Sequence, residues 1–414
     1  MCKKNTILNS TAQHSTAQHS TAQHSTAQHI ILFKGRYHEL DFKIDRFIDY
    51  LKSIGVDFYI VDTRNSESYS CKEFDDYIRQ QGCVMFTYND IGISLSENGE
   101  NVWKKNNIPV YTYLVDHPRY YFDELFEPKC ELSVICCDRN HVGFCEIFYS
   151  KVSRVFFVPQ GGEEVELQIP MAKRKNDVIY MGNCKEEISS FSVPSVIFGR
   201  EKEFYSFCIS QLLSDPRQTT EYVINEFFLS NNIHATELEL LDVYRTASHD
   251  IEHCVRRRFQ LQAMHALDNE GIHVEVYGDG WEDSNMPFSD NIVIHERIPS
   301  EKLLHKVVES KISLCFIPWF KDGCSEKNFD SMINGALCVT DESDYLDERY
   351  KDGQNIIYFD LRNPEQMAGK VKSLLENEEE LETIAYNGYQ TAKDNDSWSN
   401  RYEYIYSIMN NKVV

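Results

Sequence analysis

The chain has 414 residues, 42% of them hydrophobic and 13% aromatic, enough for about two packed domains at ~100–200 residues each. Its formal net charge of −23 argues against a broad nucleic-acid-binding face, which needs a basic surface, and leaves room for a local basic pocket. The 13 cysteines form no framework. Most lie in apolar runs such as LSVICCD (132–138), no C-x-x-C pair occurs, and the histidines lack zinc-ligand spacing, so no structural metal or cofactor is expected.

The first ten residues, MCKKNTILNS, are basic but lack an apolar h-region, so no signal peptide is expected. No run of ~18 apolar residues follows, so no membrane-spanning helix is expected either. The expected location is the cytoplasm, with room for peripheral contact at the inner face of the membrane. Residues 10–29 are four copies of Ser-Thr-Ala-Gln-His. A five-residue period fits neither a helix nor a strand face, and only Ala is apolar. Residues 1–29 are therefore expected to form a disordered tail. Its four histidines favour metal binding only weakly.

Beyond the tail, apolar strand-like runs alternate with helical stretches. The runs are HIILF (29–33), VDFYIVD (56–62), CVMFTY (83–88), IPVYTYLVD (108–116), LSVICCD (132–138) and RVFFVPQ (154–160). Such alternation predicts a parallel α/β sheet, with ligands bound at the loops after the strands. The first strand is followed by FKGRYHEL, so a G-x-G-x-x-G dinucleotide fingerprint is absent. Asp116 and His117 end a strong strand, and a His oriented by a carboxylate there suits a general base for an acceptor hydroxyl. The competing reading is a turn histidine. Pro118 and Arg119 follow, and Arg119 adds charge on the acceptor side.

MAKRKNDVIYMGN (171–183) opens a second unit. Residues 194–268 are mostly helical in pattern and include Arg256, Arg257 and Arg258. A second α/β run contains HVEVYGDGW (273–281), NIVIHERIP (291–299), a helix at 300–310, ISLCFIPWF (312–320) and NIIYFD (355–360). The predicted domains are 30–170 on the acceptor side and 171–395 on the donor side, followed by a C-terminal helix over 396–414 that can pack back on the first.

The most informative segment is ISLCFIPWFKDGCSEKNFDSMINGALCVTD (312–341). It predicts a buried strand, a polar loop, a helix and a second strand. Ser325 is a good N-cap, Phe329, Met332 and Ile333 make one apolar face, and Gly335 suits the C′ position. A helix N-terminus offers amide donors to a phosphate. Lys327 adds a cation there. Asp322, Glu326 and Asp330 add carboxylates suited to sugar hydroxyls, and Gly323, Ser325 and Asn328 complete the loop and first turn. An ordinary solvated helix face is the alternative.

The order of VIYMGN (178–183), VYGDGW (276–281), IPSEKLLHKVVESKISL (298–314), KDGCSEKNFDSMINGALCVTD (321–341), YKDGQNIIYFD (350–360) and NGYQTAKDNDSW (387–398) resembles the GT-B fold of group 1 glycosyltransferases, in detail the CgeB-like kind. The N-terminal half resembles the family in pattern and in YLVDHPRYY (113–121). The resemblance implies two Rossmann-like α/β domains facing across a cleft, and a nucleotide sugar held mostly by the C-terminal half. Many group 1 enzymes carry two Glu eight positions apart; here Asp322 and Asp330 stand in that register, one methylene shorter.

Donor-side candidates are Gly182, Asn183, Tyr277, Gly278 and Gly280, where the backbone can approach a diphosphate. Further candidates are Arg258 for bidentate phosphate contact, Trp281 for base or core packing, and Pro318 at a strand end. The expected activity is transfer of a sugar from a nucleotide diphosphate to a hydroxyl on a glycan, lipid-linked or protein acceptor, without metal. Rival readings are a sugar-nucleotide epimerase and a non-catalytic sugar-binding or scaffold protein, because fold alone does not fix function.

Because the repeat cannot bury apolar surface, deleting residues 10–29 is expected to leave the melting temperature and turnover nearly unchanged. A large fall in either for the purified truncation would show that the repeat packs on the rest of the chain.

Overall fold

The computed structural model describes residues 29–184, 190–281 and 287–412. The expectation for the repeat tail lies outside these residues, apart from His29, which opens the first strand and contacts Asp57 at 2.9 Å.

Two parallel six-stranded sheets organise the chain. The first contains β1 (His29–Lys34), β2 (Asp57–Asp62), β3 (Cys83–Tyr88), β4 (Val110–Leu114), β5 (Leu132–Cys136) and β6 (Arg154–Phe157), in the order β2-β1-β3-β4-β5-β6. The second contains β7 (Asn176–Met181), β8 (Val274–Tyr277), β9 (Ile292–His295), β10 (Ser310–Leu314), β11 (Leu337–Thr340) and β12 (Ile357–Tyr358), in the order β9-β8-β7-β10-β11-β12. Strands β3, β4 and β5 are buried along their whole length. That is why they read as continuous apolar runs, since a parallel sheet is covered on both faces.

Each sheet has a point where its strand order reverses, between β1 and β3 in the first and between β7 and β10 in the second. Crevices at the carboxyl ends of such strands bind ligands in open α/β sheets. The register sets what lies at the second crevice: Met181 pairs with Tyr277, and Tyr277 with His295.

Helices cover the sheets. Those used below are α1 (His38–Ser53), α2 (Arg139–Phe148), α3 (Glu201–Ser214), α4 (Thr220–Ser230), α5 (Glu237–Asn269), α6 (Glu326–Ile333) and α7 (Trp398–Met409). The helical region after β7 is thus three helices, with α5 running for 33 residues from a Thr236–Glu239 capping box. Helix α7 leaves the second sheet and packs on α1. Tyr402 stacks on Phe47 with centroids 4.9 Å apart, and its hydroxyl donates to the Lys43 carbonyl at 2.9 Å.

The turn into α7 is held by Asp396, which is fully buried. Its carboxylate accepts from Arg401 (2.5 Å), Arg349 (2.8 Å) and the Tyr350 hydroxyl (2.7 Å). Its carbonyl accepts from the Gly162 amide at 2.9 Å, and the Gly162 carbonyl accepts from the Trp398 amide. A Cβ at Gly162 would lie 2.5 Å from the Phe329 backbone. Glycine is therefore required where the link between the sheets runs against α6.

Removing the carboxylate leaves the Arg401 guanidinium buried without its partner. Asp396→Ala is expected to cost about 3–5 kcal/mol of unfolding free energy in denaturant titrations; a change within 1 kcal/mol would contradict this role.

Candidate functional site

A cleft of about 640 Å³ lies between the two sheets, lined from both halves of the chain. On the second half its wall includes the start of α6. Ser325 caps this helix, with a reciprocal box to Asn328, and Phe329, Met332 and Ile333 are buried. Gly335 takes φ 70 after the helix, the left-handed turn expected there.

The first-turn amides, however, are already used. The Glu326 amide donates to Gln160 Oε1 at 2.8 Å, that of Lys327 to Ser325 Oγ at 3.4 Å and that of Asn328 to the Ser325 carbonyl. At this helix start only side chains are therefore placed to meet an anion. Lys327 lines the cleft and donates to the Met181 carbonyl at 2.6 Å. Burial, reinforced by the nearby charge of Arg256, pulls its ammonium down to about 8. Glu326 also lines the cleft, paired with Lys43 of α1. Burial pulls Lys43 down to about 8 as well, against the attraction of nearby carboxylates.

Four other candidates in this segment do structural work away from the cleft lining. Asp330 accepts the Glu163 amide at 2.8 Å and is pushed up to about 6 by burial. Asn328 is buried, with its amide on Thr340 Oγ1 at 3.0 Å. Asp322 and Gly323 join the two halves. Asp322 accepts from Arg139 at 2.8 Å, and a Cβ on Gly323 would lie 2.6 Å from the Cys137 carbonyl. The expected donor-site pair of Asp322 and Asp330 is thus separated by the way loop and helix seat against the first domain.

Helix α5 supplies a set of which the sequence reading noted only the arginines. His249, Glu252, His253, Arg256, Arg257 and Gln260 recur at i, i+3, i+4, i+7, i+8 and i+11, and all line the cleft. That polar stripe at helical spacing was the available signal. Successive residues turn by about 100°, so three consecutive arginines cannot share one face. Arg256 and Arg257 face the cleft, whereas Arg258, the residue singled out from sequence, is exposed outside its lining. The Arg256 guanidinium lies 4.4 Å from the Trp319 ring centroid, and its Nε is buried without a partner. Trp319, rather than Pro318, lines the wall; the Pro318 carbonyl accepts from Lys321.

The strand-end glycines mainly bring backbone segments together. A Cβ on Gly278 would lie 2.3 Å from the Gly182 carbonyl oxygen. Asn183 Oδ1 accepts the Asp279 amide at 2.9 Å. Gly182, Asn183 and Tyr277 line the cleft, whereas Gly278 and Gly280 lie outside its lining. Trp281 is a core residue whose Nε1 donates to the Gly182 carbonyl at 2.8 Å.

On the first half, Asp116 and His117 line the cleft after β4. Both ring nitrogens of His117 are engaged: Nδ1 accepts the Arg119 amide at 3.1 Å, and Nε2 lies 3.3 Å from Glu221 of α4. Burial, followed by the charge of Arg119, holds its pKa well below 6.5. His141 packs edge-on at 4.4 Å, is pushed down to about 3 mainly by burial, and leaves Nδ1 buried without a partner. Arg119 lines the same wall but its side chain is only 1% exposed, tied to Glu221 (2.6 Å) and Glu252 (2.5 Å). These ties explain why it braces α4 and α5 instead of reaching toward an acceptor. Among the described residues, no group of three or more His, Cys, Asp or Glu is arranged to hold a metal ion, and no helix is long and apolar enough to cross a membrane.

Residues 256–407 match the family described as "Glycosyl transferase-like". Among curated proteins, none matches the chain in sequence. Two solved structures share the fold at 13% identity and a TM-score of 0.51. One is an alpha-glucosyltransferase in complex with UDP and a DNA 13-mer, covering 93% of this chain and 100% of its own. The other is an alpha-glucosyltransferase in complex with UDP-glucose and DNA, covering 92% and 98%. A third, the structure of TarM, is 12% identical with a TM-score of 0.42; the match covers 80% of this chain but spans only 55% of TarM. The architecture is therefore GT-B, two α/β domains facing across a cleft. Within it, residues 256–407 of the second half carry the glycosyl transferase-like match.

Arg119→Met would leave two carboxylates facing each other in a buried wall. It is expected to lower stability by about 3–5 kcal/mol, read as a large fall in melting temperature. An unchanged melting temperature would show Arg119 to be free for ligand.

Proposed function

We propose that the protein transfers a sugar from a nucleoside diphosphate to an acceptor hydroxyl, with Arg256 and Lys327 holding the diphosphate. One observation carries this reading: two cations from distant elements, α5 and α6, line the cleft at the second sheet, whose strand order reverses between β7 and β10. Arg256 has a buried, unpartnered Nε, and Lys327 is held at a lowered pKa beside it. Two desolvated like charges are poorly compensated alone, and an anion between them relieves both. The CgeB-like order of the C-terminal segments supports the same placement.

In the step proposed, the bond from the sugar's anomeric carbon to the diphosphate oxygen breaks, and the leaving oxygen keeps the electron pair. The two cations stabilise its charge. The acceptor oxygen bonds to the anomeric carbon and gives up its proton. Asp116, at the end of β4 on the cleft wall, is the group assigned to receive it. His117, with both nitrogens engaged, holds the turn that carries Asp116. Glu326, paired with Lys43, fixes α6 against α1 beside the donor. Gly182 and Asn183 border the diphosphate through their backbone. The cations take the part that a divalent ion plays elsewhere, so transfer is expected to survive excess chelator. Complete loss, restored by Mg²⁺ or Mn²⁺, would overturn that part.

Lys327→Ala is expected to weaken UDP binding by about one to two powers of ten, the value of a charge-assisted hydrogen bond at ~1.5–3 kcal/mol. The free ammonium titrates near 8, and a bound diphosphate favours its charged form. UDP affinity should therefore fall as pH rises above 8, and Lys327→Ala should lose most of that dependence. Calorimetry with UDP at pH 7 and pH 9.5 measures both. Wild-type binding in Lys327→Ala and Arg256→Ala would exclude the site.

A further inference from the structure

The order reversal of the first sheet, between β1 and β3, faces the acceptor half of the cleft. Arg36 and Tyr37 follow β1, and Asn89 and Asp90 follow β3. Asn89 adopts φ 55, a left-handed turn that Asn tolerates, and its side-chain carbonyl accepts the Val115 amide at 3.1 Å. This ties the turn after β3 to the end of β4. The Tyr121 hydroxyl and the Asn89 amide both reach Asp116 Oδ2, at 3.1 and 3.5 Å. The strand ends thus form one connected surface.

Two aromatic rings are partly exposed on it, each against a guanidinium: Arg36 lies 5.3 Å from the Tyr37 ring centroid and Arg119 5.1 Å from that of Tyr120. Tyr37 is 46% exposed and Tyr120 is 43% exposed. Tyr120 lines the cleft, and Tyr37 precedes Glu39 and Leu40, which line it too. Around the rings are Asp116 and an Arg36–Asp90 ion pair. Deeper in the wall, His141 is nine-tenths buried and keeps Nδ1 without a partner. A buried polar atom left unsatisfied costs about 1–3 kcal/mol unless something supplies a partner.

We infer that the acceptor is a neutral carbohydrate, with a pyranose ring lying on Tyr120 and Tyr37 and its hydroxyls meeting Asp116, the Arg36–Asp90 pair and His141. A pyranose has an apolar C–H face and a rim of hydroxyls. An open phenol ring packs on the first, and carboxylates and imidazole nitrogen accept from the second. Both guanidinium groups at the rings are neutralised, Arg36 by Asp90 and Arg119 by Glu221 and Glu252, and the chain carries a formal net charge of −23. A phosphate-rich acceptor would meet repulsion, because both cations at the rings are already ion-paired. The inference deepens the glycosyltransferase reading and rests on it for the word acceptor, but the platform is testable without transfer.

Saturation-transfer NMR on the full chain, with UDP present, tests it using the methyl glycosides of glucose, galactose and N-acetylglucosamine. Poly(glycerol phosphate) and a Ser/Thr-rich peptide serve as comparisons. Ring protons of at least one glycoside should receive saturation. Tyr120→Ala should weaken that glycoside about tenfold, while Tyr120→Phe, which keeps the ring, should restore it. Both changes are at an exposed side chain, and the shift in melting temperature on adding UDP shows that each variant is folded and binds donor product. A UDP shift with no glycoside contact, or with contact only to the phosphate polymer or the peptide, overturns the carbohydrate platform and leaves the donor reading standing. Glycoside contact without a UDP shift supports the platform and removes the donor reading. Absence of both overturns both.

Discussion

The carboxylate of Asp396 fixes the relation between the two halves of this molecule. It sits fully buried where the chain leaves the second sheet, and two arginines and two tyrosines converge on it. From there α7 crosses to the first domain and stacks Tyr402 on Phe47. A buried charge of this kind is stable only with its partners in place, so it holds one geometry in preference to many. The consequence is felt at a distance. Gly161 and Gly162 run between α6 and α7, Gln160 reaches the Glu326 amide, and Lys43 meets the Glu326 carboxylate. The wall that carries Lys327 is thereby set against the wall that carries Asp116.

Within that frame the cleft is built from ionisable groups in states they would not keep in water. Lys327 and Lys43 are pulled down by burial, and His117 and His141 are held neutral. The two walls use burial differently. On the wall of the second half it leaves Lys327 and Arg256 short of counter-charge, which suits an anion. On the wall of the first half it keeps imidazoles uncharged among carboxylates and tyrosine rings, which suits hydroxyls. A strongly acidic chain can therefore hold an anion-binding pocket, because the relevant field is local and poorly screened.

The division of labour among carboxylates follows from the same packing. Asp330 and Asp322 look alike in sequence to Glu326, three acids around one helix start. The structure gives each a separate task. Asp330 receives the Glu163 amide, Asp322 receives Arg139 across the domain boundary, and only Glu326 borders the cleft. The triplet Arg256–Arg257–Arg258 divides in the same way, by the phase of α5 against the second sheet.

The sequence alone determined the alternation of strands and helices, because strands buried on both faces must be continuous apolar runs, and VYTYL and LSVIC are such runs. It also determined α6 from its cap to its closing glycine, because capping and the 3.6-residue period are local. It placed Asp116 and His117 at a strand end, and Lys327 beside a helix start. Only the tertiary structure decided which of these groups face the cleft and which brace it. His117 became a brace because Glu221, about a hundred residues further on, takes its second nitrogen. Arg119 is consumed by two carboxylates on different helices, and Lys43 enters the site through Glu326, 283 residues away. Such pairings are set by how helices turn and dock on the sheets, and no local pattern of residues encodes them.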